Sequence, residues 1–282
     1  EAGREMELAQ LLPASQRKRV MVVGGGPAGM EAARVAALRG HLVSLYEKGQ
    51  ELGAGQLSLA AVSPQKEKLR WVKEDLETQV RQLPIELHLG TEVDRETAEK
   101  VAPDVLVVAS GARPLVPSLP GLEKMPFAPA HDVLAGRAKP TGQKVVVLGG
   151  WQTGCETAEY LAHQGYQVTI VARSNREQMA GDAIPANRAA LFARLGLLKV
   201  NILAGHDVRQ VEPHGLRLVD REGKESFLEA DYLVLARGVV PQREWAEGLE
   251  GRIKEVYFIG DCAQPATIAE ALLQGTIVAR RI

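Results

Sequence analysis

Three glycines and one carboxylate carry the clearest chemistry in the sequence. Gly24, Gly26 and Gly29 stand at G-x-G-x-x-G spacing, with Pro27 and Ala28 between the last two. Glu47 follows Gly24 at 47 − 24 = 23 residues, close to the roughly 20 expected for an acid on an adenosine ribose. Gly24 permits a tight turn, Gly26 lets a pyrophosphate approach the backbone, and Gly29 lets a helix pack closely on a strand. Pro27 suits the first turn of that helix, whose free amides and positive dipole end attract an anion. Glu47 is then placed to accept from the hydroxyls of an adenosine ribose. A loop with coincidental glycines is the plain alternative. A second turn, Gly149-Gly150-Trp151-Gln152-Thr153-Gly154, repeats the pattern about 125 residues on, with Trp151 in place of the middle glycine. Where an acid for a 2′-hydroxyl is usual, Arg173 and Arg176 stand instead, suited to a 2′-phosphate. A solvated basic loop is the bland reading of that pair. Gly260-Asp261 is a third element of interest. An acid after a buried strand, just before a helix, suits a ribityl hydroxyl of a flavin, and the helix N-terminus favours negative charge at the pyrimidine end of the ring. A helix cap or turn residue is the alternative for Asp261.

No residue is assigned a catalytic role. Cys155 and Cys262 read as small, half-buried packing residues, and the six histidines show no ligand spacing, so no metal site is expected. Trp71 and Trp245 read as core or rim residues.

These groups need strands and helices to hold them. The apolar run Val20-Met21-Val22-Val23 predicts a strand buried on both faces, followed by a helix over 27–39 and a strand over 42–46. Residues 49–63 are small and flexible, and either lie against a ligand or form a surface loop. Pro64 starts a predicted helix to Leu83, with Leu69, Val72, Leu76 and Val80 as its apolar stripe. Strands follow at 85–89 and 105–109, then a proline-rich crossing at 113–140. The second half repeats the theme. A strand at 145–148 leads to the second turn, a helix over 155–164, a strand over 168–171 and an amphipathic helix over 185–195. Short alternating segments predict a small antiparallel sheet, and 233–236 closes the unit. A strand at 256–259 and a helix from Thr267 end the chain. The reading is an α/β protein with two Rossmann-like dinucleotide-binding domains, the second inserted in the first. Their bounds are 1–112 and 237–282 for the first and 113–236 for the second, with 1–17 as a lead-in arm.

Composition agrees with this. The 282 residues suffice for two domains, and 45% apolar with 24% charged residues is ordinary for a globular protein. A net charge of −1 gives no reason to expect nucleic acid or an anionic membrane as partner. No apolar run approaches the ~18 residues of a membrane span and no signal peptide is visible. Two distant cysteines suggest a reducing, cytoplasmic setting and cannot hold an iron–sulfur cluster. The chain opens Glu1-Ala2-Gly3-Arg4-Glu5 without an initiator methionine, as one piece of a longer polypeptide would.

Several stretches together resemble one family. They are the opening strand–turn–helix, Arg39-Gly40-His41, Leu45-Tyr46-Glu47-Lys48, Ser110-Gly111-Ala112-Arg113-Pro114, Gly154-Cys155-Glu156-Thr157-Ala158-Glu159-Tyr160-Leu161 and Tyr257-Phe258-Ile259-Gly260-Asp261-Cys262. The chain is similar throughout to the two-dinucleotide-binding flavoprotein reductases. The best match is the C-terminal FAD/NAD(P) module of old-yellow-enzyme-like 2,4-dienoyl-CoA reductases, with trimethylamine dehydrogenase as a relative. Gly3-Arg4-Glu5 resembles the joint between that family's barrel and this module.

The resemblance implies an FAD site formed by Gly24, Gly26, Pro27, Ala28, Gly29, Glu47, Lys48, Gln56, Leu57, Ala109, Gly111, Arg113, Gly260, Asp261 and Thr267. It implies an NADP(H) or NAD(H) site formed by Gly149, Trp151, Thr153, Gly154, Arg173 and Arg176. It also implies an N-terminal FMN barrel with a [4Fe–4S] cluster, absent from this chain, as the partner that takes the electrons. Three departures stand out: Ala54 is inserted between Gly53 and Gly55, Trp151 replaces a glycine, and Arg237 stands where the family tends to have threonine. The expected function is hydride transfer from NADPH, or NADH, to FAD, with electrons passed onward as in dienoyl-CoA reductase. The alternative is a non-catalytic FAD- or ADP-binding module whose nicotinamide site is degenerate.

Overall fold

The structure, a computed structural model, describes Arg4 and residues 8–282. Gly3 and Glu5 lie outside the described residues, and so does the expected joint. The chain divides into two units. The first holds the described residues through Ala61 with Lys68–Arg113 and Val240–Ile282. The second holds Val62–Glu67 and Pro114–Val239. Val62–Glu67 thus groups with the second unit although it falls within the stretch read as 1–112.

Strands β1 (Arg19–Val23), β2 (Leu42–Glu47), β3 (Ile85–Leu89) and β4 (Val105–Val108) precede the longer crossing. β5 (Ala112–Pro114) lies on the crossing, and β6 (Phe127–Pro129), β7 (Lys144–Leu148), β8 (Gln167–Ala172) and β9 (Asn201–Ala204) follow. Next come β10 (Asp207–Glu212), β11 (Gly215–Val219), β12 (Glu225–Glu229) and β13 (Tyr232–Leu235). β14 (Val239–Pro241) lies on the return and pairs with β5, and β15 (Glu255–Phe258) rejoins the first unit.

The first unit is built on a parallel sheet ordered β15-β4-β1-β2-β3. Val20 to Val23 are all buried, because side chains on both faces of β1 are covered. Val20 and Val22 pack with the Pro27–Leu38 and Ile268–Arg281 helices, and Met21 and Val23 with Ala246, Leu249 and Ile253. The chain leaves β1 for β2 on one side and returns to β4 on the other. That reversal opens a crevice at the carboxyl ends of the strands, where open α/β sheets bind ligands. The second unit repeats the arrangement as β6-β13-β7-β8-β9, also parallel. β10-β11-β12 form the expected small antiparallel sheet.

Small residues decide how closely the helices approach. In Pro27–Leu38, Ala28, Ala32, Ala33, Ala36 and Ala37 are buried, and the C-terminal helix presses against them. A Cβ at Gly275 of that helix would meet Ala28 O at 2.5 Å. The helix itself starts at Thr267, whose hydroxyl accepts from Glu270 N at 3.3 Å in a capping box.

Local differences from the sequence reading have identifiable causes. The helix expected from Pro64 begins at Leu69, because Gln65 takes φ 66 and breaks the helical path. Residues 49–63 contain a short helix, Gln56–Ala60. The Arg95–Val101 helix was not predicted, although Asp94 caps it by accepting from Thr97 N at 2.8 Å. The helix placed at 155–164 starts three residues earlier and spans Gln152–His163. The crossing also contains the Ala130–Leu134 helix beside β6. No described helix is long and apolar enough to cross a membrane.

Candidate functional site

In the first unit, β1 delivers Gly24 to the carboxyl edge of the sheet, where Gly24 N donates to Tyr46 O at 2.8 Å. Gly24 has φ +113, and a Cβ there would run into Ala109 O. A Cβ at Gly29 would strike Gly24 O, so both glycines are required by the turn itself. Gly26 is different, since a Cβ built there meets no protein atom within 4 Å. Gly55 is open in the same way. Packing within the chain therefore does not demand these two glycines, and at Gly26, the residue that precedes the Pro27–Leu38 helix, this leaves open space at the helix N-terminus.

Glu47, at the end of β2, is anchored by two backbone amides. Its Oε2 accepts from Gly25 N at 2.7 Å and its Oε1 from Gly49 N at 2.7 Å. Each carboxylate oxygen retains a further lone pair for a ribose hydroxyl. The loop after β2 closes back on the turn through Gly53 N to Gly25 O at 2.8 Å. Beside Glu47 a cleft is lined by Gly24, Tyr46, Lys48, Val93, Ser110 and Trp245. Sequence reasoning missed Val93, used Ser110 only as part of the family resemblance and treated Trp245 only as packing. None of the three carries a local signal, because β3, β4 and the returning segment bring them together.

At the other end of the turn, Gln56 Nε2 donates to Asp261 Oδ2 at 3.0 Å, and Ala266 N donates to Asp261 Oδ1 at 3.1 Å. Asp261 is thus not the cap of the last helix; Thr267 is, and its hydroxyl is engaged by Glu270. Gly260 N donates to Gln274 Oε1 at 2.7 Å. Ala28 and Ala109 are buried under the turn, Leu57 lies in the core, and Lys48 and Arg113 are exposed. The open space at Gly26, the anchored Glu47 and the Gln56–Asp261 pair are what an FAD pyrophosphate, ribose and ribityl chain require. The residues present fit that group.

The second turn has the same backbone. Gly149 N donates to Val171 O at 3.0 Å, and a Cβ at Gly149 would run into Ala236 O. A Cβ at Gly154 would strike Gly149 O. What faces the helix N-terminus is not the same. Trp151 is 60% exposed, so the indole is not packed into the turn. Gln152 N donates to Asp182, at 2.9 Å to Oδ1 and 3.3 Å to Oδ2. Thr153 is exposed, and its carbonyl accepts from Thr157 Oγ1 at 2.7 Å.

The two arginines after β8 are separated in role. Arg173 is exposed, 4.0 Å from Asp207, which also pairs with Arg237. Arg176 lies over the Phe192 ring at 5.5 Å. Arg188 lies over the same ring at 5.0 Å and donates to Met179 O, Arg176 O and Glu177 O, fixing the loop. The structure also assembles a charged group that the sequence did not reveal. Glu156 is 8% exposed, and its Oε1 lies 2.6 Å from Lys66 Nζ and accepts from Gln152 Nε2 at 2.6 Å.

Neither thiol is poised for chemistry. Cys155 is fully buried, and burial, reinforced by the Asp182 and Glu156 carboxylates, pushes its pKa up to about 12. Burial likewise raises Cys262. Both are buried outright where half-burial was expected. Among the described residues no group of three or more His, Cys, Asp or Glu could hold a metal ion.

Two nucleotide folds with glycine turns at their switch points define a dinucleotide-dependent oxidoreductase, and sequence comparison gives the family. Residues 18–275 match the family described as pyridine nucleotide-disulphide oxidoreductase, and the chain belongs to it. It is a family of flavoproteins that bind FAD and NAD(P)H. The chain is 40% identical over 285 residues to an NADH oxidase of Thermoanaerobacter brockii, covering 100% of this chain and 43% of that protein. It is 38% identical over 281 residues to a bilirubin reductase of Mediterraneibacter gnavus, covering 99% of this chain and 43% of that one. Among solved structures, a 2-naphthoyl-CoA reductase in complex with 2-naphthoyl-CoA superposes with a TM-score of 0.90 at 32% identity, over 98% of this chain and 41% of that chain. The chain thus spans less than half the length of these relatives. The resemblance read from the sequence holds for family and fold.

Proposed function

We propose that the chain is the electron-input module of a larger reductase, taking hydride from NADPH onto FAD and passing electrons to an FMN/iron–sulfur domain outside this chain. The coverage of the relatives supports the last part, since each is more than twice as long as the region it shares with this chain. Bound FAD supplies two-electron chemistry towards a nicotinamide and single-electron chemistry towards a cluster. The residues of the chain supply binding and position. Glu47 would hold the adenosine ribose, the N-terminus of the helix starting at Pro27, left open at Gly26, would take the pyrophosphate, and Asp261, paired with Gln56, would take the ribityl chain. Buried thiols leave no dithiol relay, so electrons leave by way of the flavin. NADPH is preferred to NADH because Arg173 and Arg176 follow β8 where an acid is usual. We place the protein in the cytoplasm, with no membrane or nucleic acid as partner.

The observation that carries the FAD assignment is Gly26, a glycine that the chain's own packing does not need. Gly26→Val should leave the fold intact and empty the flavin site. Stoichiometric flavin in that variant contradicts the assignment. One observation favours a second reading, a nucleotide-binding module with a silent nicotinamide site: the Asp182 carboxylate already holds an amide at the second helix N-terminus.

A further inference from the structure

The two turns correspond residue by residue through their hydrogen bonds. Gly24 N to Tyr46 O matches Gly149 N to Val171 O, and Gly53 N to Gly25 O matches Ala180 N to Gly150 O, both of the latter at 2.8 Å. In this correspondence Gly26 answers to Trp151, Pro27 to Gln152, and Gly55 to Asp182. The first unit leaves Gly26 and Gly55 open, and Pro27 has no N–H to offer. The second unit has changed both partners at once. Gln152 presents an amide, and Asp182 brings a carboxylate to it in bifurcated contact at 2.9 and 3.3 Å. A carboxylate on the first amide of a 12-residue helix complements the positive end of the helix dipole, as a phosphate does. Asp182 is exposed, and the preceding part of its loop is held separately by Arg188, which donates to the carbonyls of Arg176, Glu177 and Met179.

We propose that Asp182 is a built-in phosphate surrogate that weakens nicotinamide-dinucleotide binding by competing for the Gln152 amide. The inference rests on the reading that the second unit binds a nicotinamide cofactor. A pyrophosphate reaching this helix must displace the carboxylate or bind beside a like charge. Either raises the dissociation constant. Asp182 is thus an affinity-setting residue, and its removal should strengthen binding.

The test is calorimetric titration of oxidised NADP⁺ and NAD⁺ into the flavin-loaded chain, where no turnover occurs. Wild type is compared with Asp182→Asn, Asp182→Ala and Asp182→Glu, each checked for flavin content and melting temperature. Asn and Ala should lower the dissociation constant for both nucleotides by about ten-fold, a charge-assisted bond no longer being competed for. Glu, keeping the charge, should bind no more tightly than wild type. Asn is isosteric, so it decides the question if Ala disturbs the loop. Unchanged or weaker binding in the Asn variant, with wild type binding normally, overturns the proposal and leaves the nicotinamide reading standing. No binding of either nucleotide by wild type or any variant overturns the nicotinamide reading and the proposal with it.

Discussion

The side-chain amide of Gln56 donates to the Asp261 carboxylate at 3.0 Å, joining two groups 205 residues apart in the chain. One sits on a short helix after β2 and the other on the turn after β15, so only the folded first unit brings them together. Asp261→Ala removes the acceptor for both Gln56 and Ala266 N, and should weaken FAD binding about ten-fold or more. Gln56→Ala should weaken it less. In a double-mutant cycle on flavin dissociation the two changes should couple by about 0.5–1.5 kcal/mol. Strict additivity would show that the pair does not act as a unit.

The thiols give a second check. Cys155 is raised to about 12 and Cys262 is raised as well, both by burial first. Thiolates are therefore scarce at ordinary pH. Iodoacetamide at pH 8 should leave both unmodified in the native protein and alkylate both in denaturant. Rapid native labelling of either, with loss of activity, would reveal a thiol step that the flavin route does not need.

His41 sets part of the acid limit of stability. It is 2% exposed, its Nδ1 accepts from Lys18 N at 3.2 Å, and its Nε2 has no partner. Burial lowers its pKa, Arg39 and Lys18 lower it further, and Glu255 opposes them. The folded state therefore binds a proton less readily than the unfolded chain. The stability this confers is whole above the unfolded value of about 6.5 and is lost as pH falls through that value towards the lowered one. His41→Gln should flatten the fall in melting temperature between about pH 7 and 5. An unchanged slope would assign the acid limb to other groups.

Much of this was legible in the sequence because the constraint was local. Gly24 and Gly149 are fixed by turns with φ +113 and +141, and four consecutive apolar residues mark a strand buried on both faces. Glu47 followed from its spacing to Gly24 and Asp261 from its place between a buried strand and a helix; Gln56 followed from resemblance to a family, which carries long-range placement that spacing cannot. What remained hidden depends on tertiary closure. Lys66 reads as part of a helix until Gln65 turns left-handed and sends it to Glu156. Asp182 carried no signal in the sequence, and the loop after β8 brings it to the second turn by folding back through Ala180 N to Gly150 O. Trp151 stands where the second turn would have its middle glycine, and its exposure shows that it is not packed in the turn.

The two arginines should not contribute equally. Arg173 is exposed beside Asp207, whereas Arg176 lies over Phe192. Arg173→Ala should therefore erase most of any preference for NADPH over NADH, by about ten-fold, and Arg176→Ala a smaller part. Rising salt should narrow the wild-type preference, since the site is exposed. Equal rates with NADPH and NADH in wild type would remove the 2′-phosphate reading.

Anaerobic mixing of the purified chain with NADPH, while the flavin absorbance is followed, tests hydride transfer to FAD directly. A yellow protein with about one FAD per chain is expected, bleached by NADPH within the mixing experiment and restored by an added one-electron dye. A protein that binds no flavin, or whose flavin neither NADPH nor NADH reduces even in the Asp182→Asn variant, would contradict that transfer.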